Sequence, residues 1–316
     1  MTAAGRLPQP VAVTDLQHRW QLALPRPRAF VLSGGASLGG VQVGMLQALG
    51  AHGLDPDVVV GTSVGAMHAA VLAETAGSAA AVERLGPIWR TLRRQDVFTG
   101  SLLTQARRVV RDGVLHDPDG LRRLIRRTLR AERFDELRLP LTVVATEVLT
   151  GHVRPLTDGP LVPALLASSA LPGVFPTVSI DGCPLWDGGS VANVPLRSAL
   201  AAGAASVVVL DAGDICHLDA PPRGIPDGIV MSITTAMRQR VHLEAPLIAD
   251  EVPVAYLPRP CAQNWSLLDL DRSHELIAPA REQVGRFLFE EDPPTLGQMA
   301  GAPHHHGDRT DAVTLP

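Results

Sequence analysis

Consecutive apolar residues, rather than alternating ones, set the architecture of this chain. Residues 29–33 (Ala-Phe-Val-Leu-Ser) form one such run. It breaks at the glycine-rich stretch 34–40, after which Val41, Met45, Leu46 and Leu49 recur at helical spacing. Residues 57–60 (Asp-Val-Val-Val) repeat the theme and end at Gly61-Thr62-Ser63-Val64-Gly65, before an alanine-rich helix that runs to about Glu74. A short all-apolar strand, a glycine turn and a helix, twice in succession, form the unit of a parallel sheet covered on both faces. Residues 82–138 read as helical, 141–148 as a buried strand, and 161–170 as a helix stopped by Pro172. Strands at 178–180 and 184–186 flank Asp181-Gly182, a hairpin signal. Helix 195–202, strand 206–211, helix 229–243, strand 252–257 and helix 271–289 complete an α/β alternation. The predicted organisation is one domain over 28–291. An irregular lead-in, 1–27, precedes it, and a disordered Pro/Gly/His-containing tail, 292–316, follows.

Composition adds exclusions. The 316 residues are 46% hydrophobic and 3% aromatic, so the core is aliphatic. No window approaches the ~18 uncharged apolar residues of a membrane span. Arginines and Asp15 interrupt the short apolar pieces of the N-terminus, which does not read as a secretory signal. Cys183, Cys216 and Cys261 lie far apart with no metal spacing, which points to a reduced, cytoplasmic protein. All 28 basic residues are arginine. The lack of lysine excludes Schiff-base chemistry, lysine-anchored pyridoxal phosphate, the P-loop and a serine–lysine pair. The net charge of −4 hides an asymmetry, because residues 84–138 hold 14 arginines against seven acids. Such a block is either a solvated helical exterior or a surface for anionic lipid or another polyanion; no nucleic-acid partner is expected.

Three places carry candidate chemistry. Gly61-Thr62-Ser63-Val64-Gly65, between a buried strand and a helix, has the form of an elbow that displays Ser63 at a helix N-terminus. The turn at 34–40 offers a row of backbone N–H groups for an oxyanion. Its competitor is a dinucleotide fingerprint, with Asp55 or Asp57 for the ribose, but Ala36 stands where that fingerprint needs its middle glycine. Asp187-Gly188-Gly189 is, taken alone, an ordinary Asp-Gly turn. Its flanks, Trp186 before and Ser190 to Pro195 leading into a helix after, set it apart.

Together with Ser168-Ser169-Ala170-Leu171-Pro172-Gly173-Val174-Phe175-Pro176, these blocks resemble the patatin-like phospholipase family in order and spacing, over roughly residues 28–212. The resemblance implies a three-layer α/β/α patatin-like fold with a mainly parallel central sheet. It also implies a serine lipid acyl hydrolase of phospholipids or other acyl lipids, with no metal or cofactor. Ser63 would be the nucleophile and Asp187 its general base. Gly34, Gly35, Ala36 and Gly39 would form the oxyanion hole, and Gly61, Gly65, Gly188 and Gly189 the motif positions. The arginine block, 84–138, would face an anionic membrane surface.

Two departures stand out: Ala36 replaces a third glycine, and Leu38 a basic residue. The second leaves room for a weakly active lipid-binding protein, and the acyl-enzyme equally allows a thioesterase or acyltransferase. A histidine triad is the mechanistic rival, with His217, His242 and His274 as candidates. His68, five residues into the elbow helix, is expected to face away from Ser63. His304-His305-His306 in the tail is expected to be incidental.

Overall fold

A computed structural model describes residues 19–100, 102–213, 224–261 and 265–304. Its strands are β1 (Arg28–Leu32), β2 (Val58–Thr62), β3 (Leu141–Glu147), β4 (Val153–Leu156), β5 (Val178–Ile180), β6 (Cys183–Asp187), β7 (Ser206–Leu210), β8 (Val254–Tyr256) and β9 (Met299–Ala300). The helices up to the hairpin are α1 (Gly39–Ala51), α2 (Val64–Thr75), α3 (Ser78–Thr91), α4 (Arg94–Val97), α5 (Leu102–Asp112), α6 (Asp119–Thr128) and α7 (Leu161–Ser168). After it come α8 (Gly189–Ala192), α9 (Leu196–Ala201), α10 (Ile225–Ala249) and α11 (Ile277–Glu290).

All nine strands join one sheet, in the order β5-β6-β3-β2-β1-β7-β8-β9 with β4 attached to β3. From β3 to β9 every neighbouring pair is parallel, and β4, β5 and β6 form an antiparallel margin. Alternate residues of the buried strands serve opposite faces. Phe30, Leu32, Val59, Val208 and Leu210 enter the larger core with α1, α2, α3 and α11. Val31, Val58, Val60, Val207 and Val209 enter the smaller one with α9 and α10. The result is the three-layer α/β/α arrangement that the family resemblance implied.

One detail of the register positions the site. Val143 and Val144 of β3 pair with β2 on one edge and β4 on the other, and Ala145 pairs with β4 and β6. A strand has two edges, so β6 takes up the edge that β2 leaves. Thr62 lies opposite Val144 and Asp187 opposite Ala145. The chain ends of β2 and β6 therefore abut along β3, although 125 positions separate Thr62 from Asp187 in the sequence.

The flanking segments differ from their sequence reading. Residues 19–23 are helical, and buried Trp20 donates from Nε1 to Leu288 O at 3.0 Å while its ring meets Phe287. Beyond Asp292 the chain is not a loose tail as far as His304: it adds β9 to the edge of β8, pairing Met299 with Val254. A two-residue strand has no periodicity to read, and its Gly/Pro neighbours suggested only loop. The helix expected at 229–243 extends over 225–249. Cys216, His217, His305 and His306 lie outside the described residues.

Candidate active site

Ser63 alone makes the turn from β2 into α2. Its φ of 54° and ψ of −125° put a non-glycine residue in left-handed backbone, a conformation that costs ~1–2 kcal/mol and persists only where its surroundings impose it. They do. Ser63 N donates to Ser168 Oγ at 2.9 Å, and that hydroxyl donates onward to Val144 O at 2.6 Å. A β-carbon on Gly65 would collide with the carbonyls of Leu32 and Ser33, and one on Gly61 with the backbone of Gly65 and Ala66. The elbow motif is thus a consequence of close packing, and it leaves Ser63 8% exposed at the N-terminus of α2.

Asp187 closes β6 and is 2% exposed. Its Oδ1 accepts from Gly189 N at 2.7 Å. Oδ2 is buried and meets no donor in full hydrogen-bond geometry, although the Ser63 hydroxyl is close enough to act on the carboxylate. Burial raises the pKa of Asp187 to about 6, opposed by the Gly189 amide and then by the Ser63 hydroxyl. The stretch flagged at 168–176 clamps both residues. Besides Ser168 at the elbow, Asp187 N donates to Ala170 O and Gly188 N to Ser168 O, at 3.0 and 3.3 Å. Thr146 Oγ1 donates to Asp187 O at 2.9 Å.

The four residues read as an oxyanion hole divide. Gly34 N donates to Asn193 O and Gly39 N to Ala36 O, so those two amides are committed. Among the described residues the amides of Gly35 and Ala36 have no acceptor, and both residues line the space beside Ser63. Ala36 reaches this position with a φ of 48°, a second left-handed non-glycine residue in the site. The histidines divide too. His68 is fully buried, accepts from Trp89 Nε1 on Nε2 at 2.7 Å and faces Gln42 Oε1 with Nδ1 at 2.8 Å. Burial lowers its pKa to about 3. Exposed His274 sits near Asp271 O, while His242 and His304 line the same cleft as Ser63.

Ser63 stands where two clefts meet, both open to solvent. One is apolar, walled by Met67, Trp89, Phe98, Leu121, Leu124 and Phe175. The other is the more polar of the two, with Asp187, Asn193, Asp211, Arg238, His242 and Arg259 set among a largely apolar lining. Among the described residues no cluster of His, Cys, Asp and Glu could hold a metal ion.

The Patatin family model, described as patatin-like phospholipase, matches residues 30–200, more than half of the chain. The chain belongs to the patatin-like phospholipase family. It is 32% identical over 187 residues to patatin-like phospholipase domain-containing protein 7 of Rattus norvegicus, covering 58% of this chain and 13% of that protein. It is 28% identical over 204 residues to lysophospholipase NTE1 of Mycosarcoma maydis, covering 62% of this chain and 10% of the relative. The chain therefore spans about an eighth or less of the length of these relatives. Among solved structures, VipD from Legionella pneumophila aligns with a TM-score of 0.45 and 15% identity, over 84% of this chain and 67% of that one.

In this member of the family the residue at 38 has a role other than the one its motif position suggested. The 3₁₀ turn Ala36–Leu38 rotates Leu38 away from the clefts into the larger core, where it is 1% exposed. Sequence reasoning missed Arg238, Asp211 and Arg259. None sits in a local motif, and only the pairing of β7 with β1 and β8, with α10 packed on β8, brings them to Ser63.

Proposed function

We propose that this protein is a serine lipid acyl hydrolase that cleaves carboxylic esters of phospholipids or other acyl lipids through a Ser63–Asp187 dyad. The observation that carries the reading is a strained serine beside a buried carboxylate of raised proton affinity, at the junction of an apolar and a polar cleft. In this reading the acyl chain lies toward the apolar cleft, with the ester carbonyl over Ser63. Ser63 Oγ attacks the carbonyl carbon as its proton passes to Asp187, and the Gly35 and Ala36 amides receive the oxyanion. Collapse breaks the C–O bond, and Asp187 returns the proton to the departing alcohol. A water, deprotonated by Asp187, then releases the fatty acid and restores Ser63.

The arginine block supports a place at a lipid surface, on the cytoplasmic side. Among the described residues, seven of its 14 arginines have an acidic partner: Arg84, Arg93, Arg108, Arg111, Arg122, Arg127 and Arg133. The solvated-exterior reading thus accounts for half of the charge. Arg107, Arg123, Arg126 and Arg130 remain exposed on α5, α6 and the turn after it. On α5 they accompany Leu103 and Val110, which are 63% and 89% exposed. α5 departs near Phe98 and returns near His116, and the two rings pack together against Phe175 at the apolar cleft. A membrane against this face would deliver acyl chains to that cleft. Among the described residues no helix is long and apolar enough to cross a membrane.

The test is a panel of phospholipids, acylglycerols and acyl thioesters together with a fluorophosphonate probe. Wild type should be labelled and should release fatty acid from the oxygen esters. Ser63→Ala should lose labelling, and Asp187→Asn should stay folded with kcat lowered by about 10³ or more. Labelling that survives Ser63→Ala sinks the nucleophile, and faster turnover of thioesters moves the activity to that class.

A further inference from the structure

The dyad uses no histidine, yet one histidine is tied into the site from behind. His68 lies on α2, five residues past Ser63, wholly buried and with both ring nitrogens engaged. Trp89 Nε1 can only donate, so His68 Nε2, 2.7 Å away, is the acceptor and the ring is neutral. The ring proton then sits on Nδ1 and is donated to Gln42 Oε1 at 2.8 Å. Gln42 cannot turn over, because its amide Nε2 donates to Ser33 O at 2.8 Å and to Leu210 O at 2.9 Å. Donors and acceptors are thus matched along one line, from the ends of β1 and β7 through α1 and α2 to α3.

The line ends on a side chain of the apolar cleft. Trp89 walls that cleft together with Val64 and Met67 of α2. Its indole is held at the far edge as well: a β-carbon on Gly39 would lie 2.4 and 2.5 Å from Cη2 and Cζ2 of the ring, and 2.7 Å from Val64 Cγ2. Gly39, whose amide is committed to Ala36 O, therefore serves here by having no side chain. Without His68 the buried indole N–H would have lost its acceptor, and the ring would no longer be pinned at both edges. We infer that His68 is a positioning residue for the acyl side of the reaction: it anchors Trp89 against Gly39 and Val64, and so fixes the wall that aligns a long acyl chain with Ser63. The inference rests on the proposed hydrolase reading and deepens it, because it assigns chain-length selectivity to a residue that never meets the substrate.

Dodecanoyl and butyryl esters of one alcohol test it. His68→Leu should cut the preference for the long chain about tenfold in kcat/KM, while a small fluorophosphonate still labels Ser63. Glutamine carries an acceptor and a donor side by side, as the ring does, so His68→Gln should restore most of the preference. Trp89→Phe should lose the preference too, and adding His68→Leu to it should change little further. Emission reads the anchor without turnover. The Trp89 contribution, taken against each protein's Trp89→Phe counterpart, should move to shorter wavelength in His68→Leu as the indole N–H loses its acceptor, and return in His68→Gln. An unchanged preference in folded His68→Leu or in Trp89→Phe overturns the inference. So does a full His68→Leu effect in the Trp89→Phe background, or parallel loss of both esters and of labelling, which would leave His68 a packing residue of the elbow. If His68→Leu does not fold, Trp89→Phe and His68→Gln still decide. Failure of folded wild type to cleave either ester or to be labelled would instead count against the hydrolase reading, with the emission shift still testing the anchor.

Discussion

The two clefts that meet at Ser63 are built from different parts of the chain and by different means. The apolar one is the inner surface of α3, α4 and α6, whose outer surfaces carry the arginine block; on α6, Leu121, Leu124 and Ile125 are buried while Arg123, Arg126 and Arg127 face solvent. The polar one comes from the far half of the sheet, where β7 and β8 deliver Asp211 and Arg259, and from one face of α10. One wall is amphipathic and so can be read from periodicity; the other is a polar network closed by tertiary contacts. Under the proposed function, the difference gives an ester two dissimilar ends to match on either side of Ser63.

Position 38 tests whether the oxyanion segment belongs to either cleft. Leu38 is packed in the larger core, so Leu38→Arg should bury an unpaired charge and destabilise the fold by about 3–5 kcal/mol. Thermal or urea unfolding measures this directly. A variant of wild-type stability with a raised rate would place residue 38 in the site after all.

The apolar cleft is sharpened by Leu124→Gln. Leu124 is 3% exposed and lines that cleft, and an amide there meets an acyl chain without a partner. Long-chain esters should lose about tenfold or more in kcat/KM, from a polar group desolvated at ~1–3 kcal/mol, whereas acetyl and butyryl esters should be spared. Equal loss for short and long chains would show that this cleft does not hold the acyl group.

The polar side is tested by pH. With Asp187 at about 6, the proposed base is ionised above that value and protonated below it. The rate should therefore rise about tenfold per pH unit up to about 6 and then level off. Stability runs the other way for this group: its folded pKa lies above the unfolded one, so its contribution is present at low pH and is lost as pH rises through about 6. His68 opposes it. Its folded pKa of about 3 is below the unfolded value, and its contribution is lost as pH falls from about 6.5 toward 3. A histidine base would give an acid limb in nearly the same place, and His242 lines the cleft. The limb should survive His242→Ala; its disappearance there would transfer the base from Asp187 to histidine.

These tests follow the line between what could and could not be read from the sequence. The elbow was legible because Gly61, Ser63 and Gly65 are contiguous and their packing demands are local. Asp187 was legible through the family pattern, but the reason it reaches Ser63 was not. That reason is the shared edge of β3, a register between strands far apart in the chain. Leu38 was misplaced by its neighbours, since a 3₁₀ turn sends adjacent residues in different directions. β9 and the helical residues 19–23 were missed because they are too short to show a period and are held by the elements they pack on. Asp211 and Arg259 had no local signal of any kind.

The smallest effect concerns the outer face of the amphipathic wall. Arg123 and Arg126 are exposed on α6, and neither touches a cleft. Each arginine near an anionic bilayer contributes about 1 kcal/mol, and the attraction falls off within a Debye length of ~10 Å at 0.1 M salt. Arg123→Gln/Arg126→Gln should weaken binding to phosphatidylserine-containing vesicles by about tenfold at low salt, with little change on neutral vesicles. Hydrolysis of a water-soluble short-chain ester should be unchanged, because the inner face with Leu121, Leu124 and Ile125 stays intact. Vesicle flotation across a salt series reads the first effect and a chromogenic ester the second. If both fall together, the outer arginines support the fold of the cleft wall; if neither moves, the membrane meets another face of the protein.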